Sequence, residues 1–177
     1  MDRRQKKTRS AILKAFSALL ERRRYEQISV QDIIERADVG RSTFYAHFET
    51  KDALLKALCS DIFDHIFEGE TCEYSSKNEG LKETLAHILW HLKEKQGDVK
   101  GLLGSESGEL LMQYFKEYLY LLFQKRIGEF HTQAPEDFLL HHLVGAFAET
   151  VYWWVKRDMQ DEPALVAGYF IDVIETH

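Results

Sequence analysis

The chain has 177 residues, 45% of them hydrophobic and 29% charged, with a mean hydropathy of −0.36. That length suits one domain or two small ones, and that composition excludes a disordered chain. The net charge of −6 conceals an asymmetry: residues 1–50 hold 11 Lys/Arg against 7 Asp/Glu, and the remainder 12 against 22. A basic head on an acidic body is expected where the N-terminal part meets a polyanion.

The only prolines, Pro135 and Pro163, stand where helices can begin, so an all-α fold is expected. Cys59 and Cys72 form no CxxC pair and read as reduced structural thiols. The leading MDRRQKKTRS has no apolar core of a signal peptide. No apolar run approaches the ~20 residues that span a bilayer. The chain is therefore expected to be soluble and cytoplasmic, without a membrane partner.

In chain order, a first helix is expected over residues 4–23, with Ile12, Leu13, Phe16, Leu19 and Leu20 at helical spacing. Arg3, Arg4, Lys6, Lys7 and Arg9 crowd its leading end. Ser29 with Asp32 three residues on reads as a variant capping box for a second helix, whose Ile33, Ile34 and Ala37 face inward. Asp38-Val39-Gly40 reads as a tight connection in which Gly40 takes the unusual backbone angles. A third helix of about two turns follows over residues 41–48, with Phe44 and Phe48 as its apolar face. Thr50 then caps a longer helix that buries Leu54, Leu55, Leu58, Ile62 and Ile66.

Residues 68–79 are polar and aperiodic, so a loop and a domain boundary are expected there. Leu81, Leu85, Ile88, Leu89 and Leu92 mark the next helix, ending at Gly97. KGLLGSESG, residues 100–108, is glycine-punctuated and is expected to hold at most one helical turn. Three further helices are expected over residues 109–126, 135–159 and from about 162 onward. The expected architecture is all-α: a helix-turn-helix domain over residues 1–50, a connecting helix over 51–68, and a helical effector-binding and dimerisation domain over 69–177.

The third helix has the chemistry that a major-groove reader needs, one apolar anchoring face and one face of short polar or cationic groups. Arg41 can fork onto guanine O6 and N7, and Ser42 and Thr43 can donate to a base edge or phosphate. Ala46 can sit against a thymine methyl. Tyr45, His47 and Lys51 can reach phosphates and set the docking angle.

Residues 37–48, ADVGRSTFYAHF, followed by Lys51-Asp52-Ala53-Leu54-Leu55, closely resemble the helix-turn-helix signature of the TetR (tetracycline-repressor-like) family. Upstream, residues 25–33, YEQISVQDI, are similar to that family's lead-in, so the likeness spans about residues 8–58. The chain departs from the pattern at Asp38, usually glycine, at Gly40, usually a capping serine, and at Arg24, commonly glycine. The resemblance implies base contacts from Arg41, Ser42 and Ala46 and backbone contacts from Thr43, Tyr45, His47 and Lys51, with Ser29 a further phosphate contact. It implies double-stranded DNA as partner, and a homodimeric repressor released by a small molecule. An activator of the same fold, or control by a protein partner, stays open.

The later segment TVYWWVKRDMQDEPALVAGYF is similar to a TetR subgroup with a tryptophan-bearing helix before an acidic-proline turn. The resemblance implies that the last two helices pair with their copies in a second subunit. The helix over 135–159 is apolar nearly all round, as burial on two sides requires. Val144, Ala148, Val151, Val155, Gly168 and Tyr169 are the expected interface. A small-molecule pocket is likewise implied, its candidate lining Phe63, Phe67, Trp90, Met112, Phe115, Tyr118 and Phe147, with His87, His91 and His142 as polar handles.

A helical-bundle metal enzyme is the remote alternative, prompted by His87 and His91 four apart. No histidine has a glutamate three positions before it, and no HExxH, P-loop or GxGxxG occurs. No catalytic residue, metal ligand or cofactor is assigned.

Overall fold

The computed structural model describes residues 3–67, 80–104 and 108–175, with side chains throughout these except for 62–67. Among the described residues there are nine α-helices, two 3-10 turns and no strand. The helices are α1 (Arg3–Leu20), α2 (Val30–Ala37), α3 (Arg41–His47), α4 (Lys51–Phe67), α5 (Leu81–Glu94), α6 (Gln96–Leu103), α7 (Gly108–Arg126), α8 (Glu136–Lys156) and α9 (Pro163–Glu175). None is long and apolar enough to cross a membrane. The chain divides into two compact units, residues 1–62 with 97–111 and residues 63–96 with 112–177. The expected boundary in residues 68–79, and Cys72 with it, lies outside the described residues.

In the first unit, α1 buries the stripe that its 3.6-residue period dictates: Ile12, Phe16 and Leu20 are essentially inaccessible. Phe16 meets Tyr25 edge to face at 6.1 Å. Ser29 caps α2 as the sequence implies: its hydroxyl accepts from the Asp32 amide at 3.1 Å, and Asp32 Oδ2 accepts from the Ser29 amide at 2.8 Å. Thr50 Oγ1 accepts from the Ala53 amide and so caps α4. Cys59 is buried, and that burial, with the Asp98 charge adding to it, pushes its thiol up to about 12. It is an inert core side chain.

Residues 96–103 depart from expectation by forming a full two-turn helix, α6, while α5 ends with Lys95 rather than Gly97 as its C-cap. The glycines here permit close approach rather than breaking the helix. A Cβ on Gly101 would stand 2.3 Å from the Leu20 carbonyl oxygen, so α6 lies backbone to backbone against the end of α1. Asp98 of α6 is a buried carboxylate that accepts from the Ser17 hydroxyl of α1.

The second unit packs α5 against α9 and α8 against α9. Phe147 is central to its core, 6.3 Å from Phe115, 6.5 Å from Phe123 and 5.1 Å from Phe170. The buried Trp154 donates from its indole N–H to the Asp161 carbonyl at 3.0 Å, pinning the end of α8 to the turn before α9. Pro135 is the N-cap of α8, with Glu136 and Asp137 in the first turn, where the helix dipole favours acids.

Candidate nucleic-acid interface

The reading element is built by α2, its turn and α3. At the end of α2 the left-handed residue is Asp38, with φ 51° and ψ 51°, whereas Gly40 has φ −73° and ψ 153°. The expectation that Gly40 takes the unusual angles is thus corrected. A short polar side chain tolerates the left-handed region better than a branched one, so Asp38 fills the position where the signature has glycine. The Val39 amide closes the turn on the Ile34 carbonyl at 3.2 Å. Gly40 is the N-cap of α3 and offers no side chain to its free amides.

Phe44 is fully buried and Phe48 nearly so, their rings 6.1 Å apart, and these two anchor α3 to the unit. Arg9 of α1 lays its guanidinium over the Phe48 ring at 5.4 Å. Arg41, Ser42 and Ala46 stay exposed, and Thr43 and His47 are half-buried. Tyr45 is 43% exposed, stands edge-on to Phe44, and has the Arg41 guanidinium 5.9 Å above its ring. Phe44 and Phe48 are therefore locked inward, while a guanidinium, a hydroxyl and a methyl of the same two turns stay exposed. Arg3, Arg4, Lys6 and Lys7 are exposed as well.

Two of the expected DNA contacts are engaged elsewhere. Lys51 donates from Nζ to the carbonyls of Tyr25 at 3.0 Å and Ile28 at 2.9 Å, and lies 4.0 Å from the centre of the Tyr25 ring. It clasps the start of α4 to the turn before α2 through two of its three ammonium hydrogens. Asp52 accepts from the Tyr25 hydroxyl and completes that clasp. Burial, and next the hydrogen bond to Asp52, raise the Tyr25 phenol above its ordinary range.

Ser29 is the second. It gives both its amide and its hydroxyl hydrogens to Asp32, which leaves no donor for a phosphate. Asp32 also accepts from Arg23 at 2.9 Å. The Ser29 hydroxyl and amide, and then Arg23, hold the Asp32 carboxyl down to about 2.

The expected interface and pocket residues separate in the second unit. Val144, Ala148, Val151, Val155 and Gly168 are all buried within the chain, and Gly168 faces the Lys82 side chain of α5. They belong to the protomer's own packing. Of the expected interface only Tyr169 is exposed. It lines an open groove of about 1360 Å³ with Phe138, Leu139, His142, Trp153 and Val173. Phe138 is 63% and Val173 73% exposed there.

Among the expected pocket residues, Phe115 and Phe147 are core rings, and His142 lines that outer groove. His87 and His91 approach each other at 3.2 Å. Trp90 is half-exposed, and Met112 and Tyr118 are half-buried. Phe63 and Phe67 lie outside the described side chains. Sequence reasoning missed the Tyr25–Lys51–Asp52 clasp and the Ser17–Asp98 link, because each joins residues more than twenty positions apart.

An all-helical chain that holds a buried-backed, polar-fronted two-turn helix after a tight turn is a helix-turn-helix DNA-binding regulator. Residues 12–58 match the profile of bacterial regulatory proteins, tetR family, and residues 79–176 that of a transcriptional regulator C-terminal region. The chain belongs to the TetR family of transcriptional regulators.

A crystal structure of a TetR transcriptional regulator from Streptococcus agalactiae 2603V is similar throughout. It is 36% identical, with 98% of this chain and 97% of that one covered, at a TM-score of 0.80. The uncharacterized HTH-type transcriptional regulator YxbF of Bacillus subtilis (strain 168) is 38% identical over 88 residues, 47% of this chain and 22% of that protein. The HTH-type dhaKLM operon transcriptional activator DhaS of Lactococcus lactis is 34% identical over 89 residues, 50% of this chain and 45% of that protein. The chain thus matches under half the length of each of these two curated relatives.

Proposed function

We propose that two copies of this chain bind a near-palindromic operator, with α3 of each in one of two successive major grooves about 34–36 Å apart. The division of α3 supports this most. Phe44 and Phe48 fix the helix to its unit, while Arg41, Ser42 and Ala46 stay exposed. Arg41 reads a guanine through O6 and N7, Ser42 a base edge and Ala46 a thymine methyl. Thr43, Tyr45 and His47 hold phosphates and set the docking angle.

The second copy docks on the α8–α9 groove. Its exposed Phe138, Trp153, Tyr169 and Val173, with half-buried Leu139, form the kind of contiguous patch that marks an interaction site on a protein surface. Gly145 of α8 has open space where a Cβ would stand. Residues 1–50 read DNA, 51–68 connect, and 69–177 pair the subunits and receive a small-molecule effector. An effector that binds one spacing of the two α3 helices more tightly than the other releases the operator, which makes the chain a repressor. The activator reading has one specific support, the relative named as the dhaKLM operon activator.

Binding-site selection from random duplexes tests the reading assignment. The wild type should enrich an inverted repeat. Arg41→Ala should lose about 1–3 kcal/mol of specific affinity and relax preference at one position per half-site. An unchanged logo with Arg41→Ala removes Arg41 from the reading role.

A further inference from the structure

Nothing in the DNA-binding reading uses the histidine pair of α5. His87 and His91 are one helical turn apart, so both rings project from one face. Their Nε2 atoms are 3.2 Å apart and their ring planes stand at 90°. His91 is 3% exposed and His87 half-buried, so the pair sits at the edge of the second unit's interior. Glu94 places Oε2 3.4 Å from His91 Nδ1.

We propose that His87 and His91 chelate a divalent transition-metal ion of the zinc, nickel or copper class through their two Nε2 atoms. Two imidazole nitrogens at 2.0–2.1 Å from one tetrahedral ion stand about 3.3 Å apart, which is the spacing that the apo side chains already hold. The carboxylate of Glu94 supplies the outer half of the arrangement. It favours the proton on His91 Nδ1 and so leaves the Nε2 lone pair directed at His87, as carboxylate partners do for ligating histidines.

In the ion-free state one hydrogen lies between the two Nε2 atoms, its side set by the tautomer. With the ion bound, each neutral ring carries its hydrogen on Nδ1, and both Nε2 lone pairs go to the ion. For a neutral pair the exchange releases no net proton. Imidazole selects against magnesium and calcium, which take oxygen ligands. Among the described residues no group of three or more His, Cys, Asp or Glu gathers around an ion, so the two imidazoles are the ligands assigned here.

The test is calorimetric titration of chelator-treated full-length protein with zinc chloride, with cobalt absorption as a second readout. One ion per chain should bind. His87→Ala and His87→Gln should each raise the half-saturating concentration at least tenfold, and Glu94→Gln about tenfold, within the about 10–100-fold range expected for an outer-shell partner. His141→Ala, an exposed histidine on α8, should leave it unchanged. Thermal melts of the ion-free variants report folding, and zinc should raise the melting temperature of the wild type but not of His87→Gln. No saturable binding, or binding that survives both His87 substitutions, overturns the proposal whether or not the chain binds DNA.

Discussion

The two units differ in how many aromatic side chains they leave open. In the first, Phe16, Tyr25, Phe44 and Phe48 are buried, and Tyr45 is exposed beside Arg41, Ser42 and Ala46. In the second, Phe115, Phe123, Phe147 and Phe170 make a comparable core, yet Phe138, Tyr152, Trp153 and Tyr169 remain on the surface. A unit that buries most of its rings and shows cations and hydroxyls is suited to a polyanion. One that leaves aromatic rings open is suited to another apolar surface. The difference teaches that burial within one chain says what a unit is for only when read beside what it leaves exposed.

The severest challenge to that contrast is Phe44→Ala. Removing a fully buried phenylalanine should cost about 3–5 kcal/mol, and operator binding should vanish with the melting transition of the first unit. Chemical denaturation beside a gel-shift assay checks this, and intact DNA binding would mean that α3 is not anchored through Phe44.

Lys51→Ala comes next. It removes two hydrogen bonds from a charged donor to the Tyr25 and Ile28 carbonyls and should destabilise by about 1.5–3 kcal/mol. The salt dependence of operator binding should keep its slope. A slope reduced by about one would instead return Lys51 to the phosphates.

Trp153→Ala probes the other side of the comparison. It should leave the secondary structure intact while raising the dimer dissociation constant by a hot-spot amount, about 2 kcal/mol or roughly thirtyfold. Sedimentation equilibrium reads the change, and an unaltered equilibrium would place the partner elsewhere.

The smallest effect concerns acid. The Asp32 carboxyl, held down to about 2, stabilises the cap of α2 at every pH above its unfolded value of about 4. That contribution fades as pH falls through the folded value. Wild type should therefore exceed Asp32→Asn in stability near neutrality, and the gap should shrink between about pH 4 and pH 2. A gap that stays constant across that window would mean the carboxylate charge is not what matters.

The reading element was largely legible because its signals are local. Ser29 with Asp32, Thr50 with Ala53, and Phe44 with Phe48 are pairs three or four residues apart, and spacing alone declares them. The Lys51 clasp was not legible because its partners, the carbonyls of Tyr25 and Ile28, arrive only through the tertiary turn. Gly97 and Gly101 looked like helix breakers, since the nearness of Leu20 that gives Gly101 its purpose lies some eighty positions away.

Which face of α8 its own chain covers was illegible for a different reason. Helix α8 is apolar on two faces, and periodicity cannot say which of them its own chain covers. Val144, Ala148, Val151 and Val155 turned inward, leaving Phe138, Tyr152 and Trp153 outside.

The central claim, that paired copies of α3 occupy neighbouring major grooves, is met most directly by hydroxyl-radical footprinting on the selected operator. Two protected patches on one face of the duplex, centred about ten base pairs or a small multiple of that apart, are predicted. Their spacing should persist when the sequence between them is changed. A single patch, or protection that moves freely along any duplex, would contradict it.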